Sequence, residues 1–158
     1  MTVPDYEACF QNGAALKLKG KTEEAITAFT QATNIRPQYW LAYYSIGDIL
    51  YSQSKFLDAA KNFTLASAFA RGRPEPRLMA ARAFYFAAFY SEAIENYSQV
   101  SVADFDELST SLYLDALARN GKYKEGRDFL NKVPYQAEQP VFLKAAASIY
   151  GGLNEYKT

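Results

Sequence analysis

The sequence predicts an all-α protein, an array of antiparallel helix pairs, and three observations carry that prediction. The first is an internal repeat with a 34-residue period. Gly13, Gly20, Ala25, Phe29, Ala32 and Pro37 become Gly47, Ser54, Ala59, Phe63, Ala66 and Arg71, then Ala81, Ala88, Ala93, Tyr97, Val100 and Phe105. A unit of this length holds two helices and a turn, and it cannot cover its own apolar face unless units stack. The second is small size at fixed places. With units starting at Tyr6, Trp40 and Pro74, positions 8, 20 and 27 give nine sites, and eight are Gly or Ala. Small residues at positions 8 and 20 let two helix backbones approach closely. The third is a large residue at position 24 (Phe29, Phe63, Tyr97), which fills the gap towards the next unit.

Taken in order, the units span 6–39, 40–73, 74–106 and 107–136 within a single domain, followed by an extra helix over 138–150. In the first unit Thr22 precedes Glu23-Glu24 and is expected to cap the second helix, with acid in the first turn. The third unit starts on Pro74 and Pro76, which are tolerated at a helix start because the missing N–H would have no partner there. Ser91 before Glu92 is expected to cap its second helix. The fourth copy has lost one residue and reads Leu114, Gly121, Gly126, Leu130, Val133. Asp104, Asp106 and Glu107 read as acids at its helix start. The fifth segment, Glu138 to Tyr150, reads as a first helix, and Gly151-Gly152 as the turn after it. It is either a cap for the array or an unfinished unit. Ala145, Ala146, Ala147 and Ile149 leave it without a strongly polar outer face, which favours a chain that continues in a longer parent protein.

Composition narrows the function. The 158 residues carry 17 Lys and Arg against 17 Asp and Glu, so the chain has no basic excess for nucleic acid or an anionic membrane. Histidine is absent, which excludes Ser-His-Asp triads, histidine-ligated metals and imidazole base chemistry. The single cysteine, Cys9, allows no internal disulfide and falls at a core position, where an inert thiol is expected. There is no secretory leader pattern and no run of apolar residues long enough to span a bilayer. The expected setting is cytoplasmic, without membrane insertion. No glycine-rich phosphate loop, calcium-loop spacing or paired catalytic carboxylates stand out. No cofactor, metal or catalytic residue is expected, and an enzyme built on this chain alone is not.

The 34-residue period, the Gly-Lys-Thr-Glu-Glu-Ala run at 20–25 and Gly-Lys-Tyr-Lys-Glu-Gly at 121–126 resemble the tetratricopeptide repeat family. The third copy departs at Arg77, where a large residue is usual, and the fourth at Leu114 and Gly126. The resemblance implies a right-handed superhelical solenoid of about four repeats plus a terminal helix. It also implies that the first helix of each unit lines a concave, peptide-binding groove. Carried over position by position, the candidate groove residues are Phe10 and Lys17 from the first copy, then Tyr44, Asp48 and Tyr51 from the second. Leu78, Arg82, Tyr85 and Phe86 follow from the third, and Asp115 and Arg119 from the fourth. Aromatics with one polar end suit an interface. Arg82 could meet a carboxylate, or could pair with Asp48 at the same position one unit away. The basic and amide residues with which some members of the family clamp a C-terminal carboxylate are replaced by Phe10, Ala14, Tyr44, Asp48 and Leu78. An apolar or amphipathic peptide is therefore the expected partner.

Three roles compete. One is a protein–protein interaction module, an adaptor or scaffold, alone or as the repeat region of a larger enzyme such as a glycosyltransferase. The second is a secretion chaperone, since Arg73-Pro74-Glu75-Pro76-Arg77-Leu78-Met79-Ala80-Ala81 is similar to a stretch of class II type III secretion chaperones that hold a hydrophobic translocator. Those proteins place a helical extension before their repeats, whereas here the repeats begin near Tyr6. The third is a homo-oligomer that assembles through the ends of the solenoid.

Overall fold

The computed structural model describes residues 5–133 and 140–155. Its helices, in order, are α1 (Tyr6–Leu18), α2 (Thr22–Ile35), α3 (Trp40–Ser52), α4 (Phe56–Phe69), α5 (Glu75–Phe86), α6 (Tyr90–Ser98), α7 (Glu107–Arg119), α8 (Tyr123–Leu130) and α9 (Pro140–Glu155), with one 3₁₀ turn at Val102–Asp104. No strand occurs among the described residues. The chain divides into two compact units, Met1–Pro76 and Arg77–Thr158.

The small and large repeat positions meet as lock and filler. In the first unit the ring of Phe29 on α2 lies against Gly13 on α1, so close that a Cβ there would sit 2.7 Å from Cδ1. Phe63 on α4 covers Gly47 on α3 in the same way, at 2.9 Å. Both rings are essentially buried, at 1% and 0% exposure, and each such burial stabilises by roughly 1.5–3 kcal/mol. The large residue therefore packs first on the glycine of its own helix pair. Phe29 also reaches the next pair, clustering with Ala42, Ile46 and Ile49 of α3.

The second unit is built around a cluster of aromatic rings. Tyr97 of α6 packs on Phe105 and Tyr113, with ring centroids 5.6 and 5.3 Å apart, and Phe129 of α8 closes on Tyr113 at 4.8 Å. Leu78, Ala81, Leu114, Leu117 and Ile149 complete this core. Gly126, the departure from alanine in the fourth copy, has a direct cause: a Cβ there would lie 2.3 Å from Ile149 Cδ1. The helix α9 runs on through Gly151 and Gly152, where the sequence reading places a turn. Gly152 is small because the ring of Tyr123 passes 2.3 Å from where its Cβ would be. The expected start of this helix at Glu138 lies outside the described residues.

The turn between the two helices of each pair is one motif used four times. Position 15 is left-handed in every copy, with φ of +74° at Gly20, +59° at Ser54, +63° at Ala88 and +67° at Gly121. In each, the next residue donates its N–H back five residues: Lys21 to Leu16 and Lys55 to Leu50, then Phe89 to Phe84 and Lys122 to Leu117, at 2.8–3.0 Å. This is the Schellman pattern, which satisfies carbonyls left open at a helix end.

The turn also decides the caps. The residues entering the second helices, Lys21, Lys55, Phe89 and Lys122, share φ near −85° with ψ of 50–70° and make no side-chain cap. Thr22 and Ser91 therefore lie inside their helices and do not cap them. The true caps are Asp5 and Asp106, extended at ψ 170° and 172°, whose carboxylates accept from Ala8 N and Ser109 N. Asp106 follows the connector after α6 and its 3₁₀ turn, not a tight turn, so the chain there is free to adopt the cap conformation.

Candidate functional site

In the first unit the candidate residues of α1 and α3 are half-buried aromatics and one ion pair. Phe10 stands edge-on to Tyr39, with centroids 5.2 Å apart, and tilts on Phe29. Tyr44 packs on Trp40 and on Phe63, and Tyr51 on Phe56 and Phe63. These tyrosines thus support the core with one face while remaining partly exposed. The ammonium of Lys17 on α1 bonds the carboxylate of Asp48 on α3. Asp48 is therefore taken by Lys17 within its own unit. An exposed pair of this kind adds little stability but fixes both side chains in place.

The second unit holds the more developed arrangement. Arg82 on α5 is bound to the start of α7: its guanidinium donates to Ser109 Oγ at 2.9 and 3.1 Å and to the carboxylate of Asp106. Burial works against ionised Asp106, but hydrogen bonds from Ser109 and Arg82 outweigh it and hold the carboxyl below its ordinary range. Arg82 is thus a tie between α5 and the α7 cap. One turn further along α5, the Tyr85 hydroxyl donates to Asp115 Oδ2 at 2.5 Å. Arg119, four residues on from Asp115, donates to the same oxygen and stacks 5.2 Å from the Tyr90 ring centre. Burial and then the bond to Asp115 push the Tyr85 phenol up to about 12, so it is a neutral donor at neutral pH. The Asp115 carboxylate in turn raises Arg119.

Tyr85, Asp115 and Arg119 share the wall of a pocket of about 220 Å³ with Ser111, Leu112, Lys144 and Ala145. Its floor is apolar and its rim polar. Of the third-copy candidates, Phe86 stays 43% exposed beside Tyr85, whereas Leu78 is 8% exposed within the core and offers a ligand little surface. Sequence reasoning missed Lys144 and Ala145 of α9. The repeat itself could have found Lys144, because the row Phe10, Tyr44, Leu78, Ser111 continues to it when a fifth unit starts at Pro140. Among the described residues no helix is long and apolar enough to cross a membrane, and no group of Cys, Asp and Glu is placed to hold a metal ion.

Consecutive antiparallel helix pairs with glycine–aromatic locks and shared turns define a helical-repeat protein. Residues 13–54 match the model of the TPR repeat, and the chain as a whole shares the fold of solved tetratricopeptide-repeat proteins. YrrB, described as a TPR protein with an unusual peptide-binding site, superposes with a TM-score of 0.77 over 98% of this chain and 79% of its own, at 15% identity. MamA residues 41 to the end, from Desulfovibrio magneticus RS-1, matches with a TM-score of 0.66 over 82% of this chain and 74% of its own, at 21% identity. A putative kinesin light chain of Podosopora anserina with nearly identical TPR-like repeats gives 0.59 over 99% and 91%, at 14% identity. No curated protein matches the sequence.

Proposed function

We propose that the protein is an interaction module that binds a peptide segment of a partner protein along the first helices of its repeats. The pocket of Tyr85, Asp115, Arg119 and Lys144 serves as its anchor. The observation that carries this reading is the pocket itself. An apolar floor of Leu112 and Ala145 is joined to a donor set that already has its internal partners, except for the Lys144 ammonium at the rim. Such a site takes an apolar side chain on its floor and an acceptor group at Lys144. The fold is consistent with a protein-binding role, and adaptor or scaffold duty is the form proposed here. The test is panning of a displayed peptide library against the wild type and the Tyr85→Ala/Lys144→Ala variant. Peptides enriched by the wild type should lose binding to the variant while its helicity is kept. Equal enrichment by both overturns the assignment. Arg82→Ala is a poor probe, because Arg82 holds the α7 cap.

Self-association is a second reading, favoured by the outer face of α9. Leu143 and Tyr150 there are 56% and 49% exposed, one on each side of Ala147. Sedimentation velocity over a range of concentrations decides it, and a constant monomer removes the reading.

A further inference from the structure

A second cavity, of about 410 Å³, opens in the first unit among Arg36, Gln38, Tyr39, Trp40, Phe69 and Arg71. None of these residues belongs to the candidate groove. The cavity is formed where the end of α2, the start of α3 and the end of α4 converge. Its size falls within the roughly 300–1,000 Å³ typical of small-ligand sites. Tyr39, Trp40 and Phe69 supply planar walls, and Arg73 stacks on Trp40 with its guanidinium carbon 5.4 Å from the ring centre.

Its charge is unbalanced. The ion pairs among the described residues take up Lys17, Lys21, Lys61, Arg82, Arg119, Lys122 and Arg127. Arg36, Arg71 and Arg73 are in none of them, although the chain as a whole carries equal numbers of acids and bases. No carboxylate lines the cavity. Arg36 donates to the Tyr6 hydroxyl at 2.5 Å and stacks on that ring at 4.7 Å, and Tyr6 donates in turn to Glu7 at 2.9 Å. Arg36 is thereby held in position by a neutral partner, with donors left over, since a guanidinium has five N–H groups. Complementing the negative ends of α2 and α4 accounts for a basic residue at each, at roughly 0.3–1 kcal/mol. It does not account for the aromatic walls or the open volume between them.

We infer that this cavity binds an anionic oxygen group carried on an aromatic ring, with an aryl phosphate as the best match. Two guanidinium groups suit a group of charge about −1.5 to −2 with three acceptor oxygens. The ring would lie on the aromatic lining supplied by Tyr39, Trp40 and Phe69. The chemistry is shared by a free aryl phosphate and by a phosphotyrosine side chain of a partner.

Trp40 is the only tryptophan in the chain, so its fluorescence reports this cavity directly. Phenyl phosphate should change the emission saturably, and inorganic phosphate should bind at least about tenfold more weakly, because it lacks the stacking ring. Arg71→Gln should weaken phenyl phosphate by about tenfold or more while lowering the melting midpoint by no more than about 4 °C, the share of a basic residue at the α4 end, since Arg71 is exposed. A phosphotyrosyl peptide that binds more tightly than phenyl phosphate, and tighter than its unphosphorylated form, assigns the source to a partner protein. Equal affinity of that peptide and phenyl phosphate assigns it to a small molecule. A wild-type emission that phenyl phosphate leaves unchanged, equal affinity for both phosphates, or an Arg71→Gln curve superimposable on the wild type overturns the inference. The Tyr85→Ala/Lys144→Ala variant should bind phenyl phosphate as the wild type does, so failure of the groove reading and failure of this one are told apart.

Discussion

Replacing Ala88 by glycine should stabilise the protein, the reverse of the usual direction for alanine and glycine. Ala88 sits at φ +63° in an exposed turn, and Ser54 at +59° occupies the same place in the second repeat. A left-handed conformation costs an L-residue with a Cβ about 1–2 kcal/mol. Glycine removes that cost but returns roughly 0.4–1 kcal/mol of extra freedom to the unfolded chain. The difference is a gain of about 0.5–1 kcal/mol for each site, and the Ser54→Gly/Ala88→Gly double variant should gain about twice that, as independent sites add. For a chain of this length each kcal/mol raises the melting midpoint by roughly 2–4 °C. The natural counterparts supply the control. A Cβ on Gly20 or Gly121 would meet no heavy atom within 4 Å, so Gly20→Ala and Gly121→Ala should lose a similar amount for backbone reasons alone. Circular dichroism at 222 nm against temperature and urea reads all four variants. A lower midpoint for Ala88→Gly, or no loss in Gly20→Ala, would refute the reasoning that one strained turn is repeated four times.

Other outcomes follow from the packing and the charge ties. Gly47→Ala gains about 1 kcal/mol of helix propensity but drives a Cβ to 2.9 Å from the buried Phe63 ring, so it should destabilise by roughly 1–2 kcal/mol net in urea titration. Asp106→Ala removes both the α7 cap and the acceptor of Arg82 and should cost about 1–3 kcal/mol by the same assay. Because the folded carboxyl of Asp106 is held below its unfolded value, its stabilisation is present above the unfolded value and is lost as pH falls through the folded one. The wild type should therefore lose stability more steeply in acid than Asp106→Asn. Tyr85 should ionise near pH 12 instead of 10.0, read as delayed phenolate absorbance relative to Tyr85→Phe. Its raised value makes its contribution complete below pH 10 and lost as pH rises towards 12.

The helix pairs were legible because their cause is steric and periodic. A glycine that must accept an aromatic ring recurs at a fixed distance from that ring, as Gly13 with Phe29 and Gly47 with Phe63. Features set by local backbone geometry were less legible. Thr22 and Ser91 have the composition of caps, but the turn before them delivers the chain already wound, and the carboxylates of Asp5 and Asp106 do the capping. Gly151-Gly152 has the composition of a turn, yet Gly152 answers to the Tyr123 ring. In the site, the repeat register put Tyr85, Asp115 and Arg119 in one candidate row, and hydrogen bonds join the three. Which acid each base would take was not readable, because the register places a charge on a helix face without fixing its partner on the neighbouring helix, as with Lys17 and Asp48 or Arg82 and Asp106. The cavity beside Trp40 escaped because its residues come from helix ends and connectors, where the repeat is least regular.

The burial of Cys9 has a kinetic consequence. Its thiol is 5% exposed on α1, packed with Ala25, Phe29 and Ala32 of α2, and α1 packs chiefly on α2, its neighbour in sequence. Contacts that local form quickly and also open piecemeal, so the first helix pair can detach without global unfolding. Because this is the chain's only cysteine, the rate at which a thiol reagent labels the native protein reports its exposure alone, and the excess over the global unfolding rate counts those openings. The first helix pair thus carries its own clock, against which the lifetime of the partner proposed to bind across α1 and α3 can be timed.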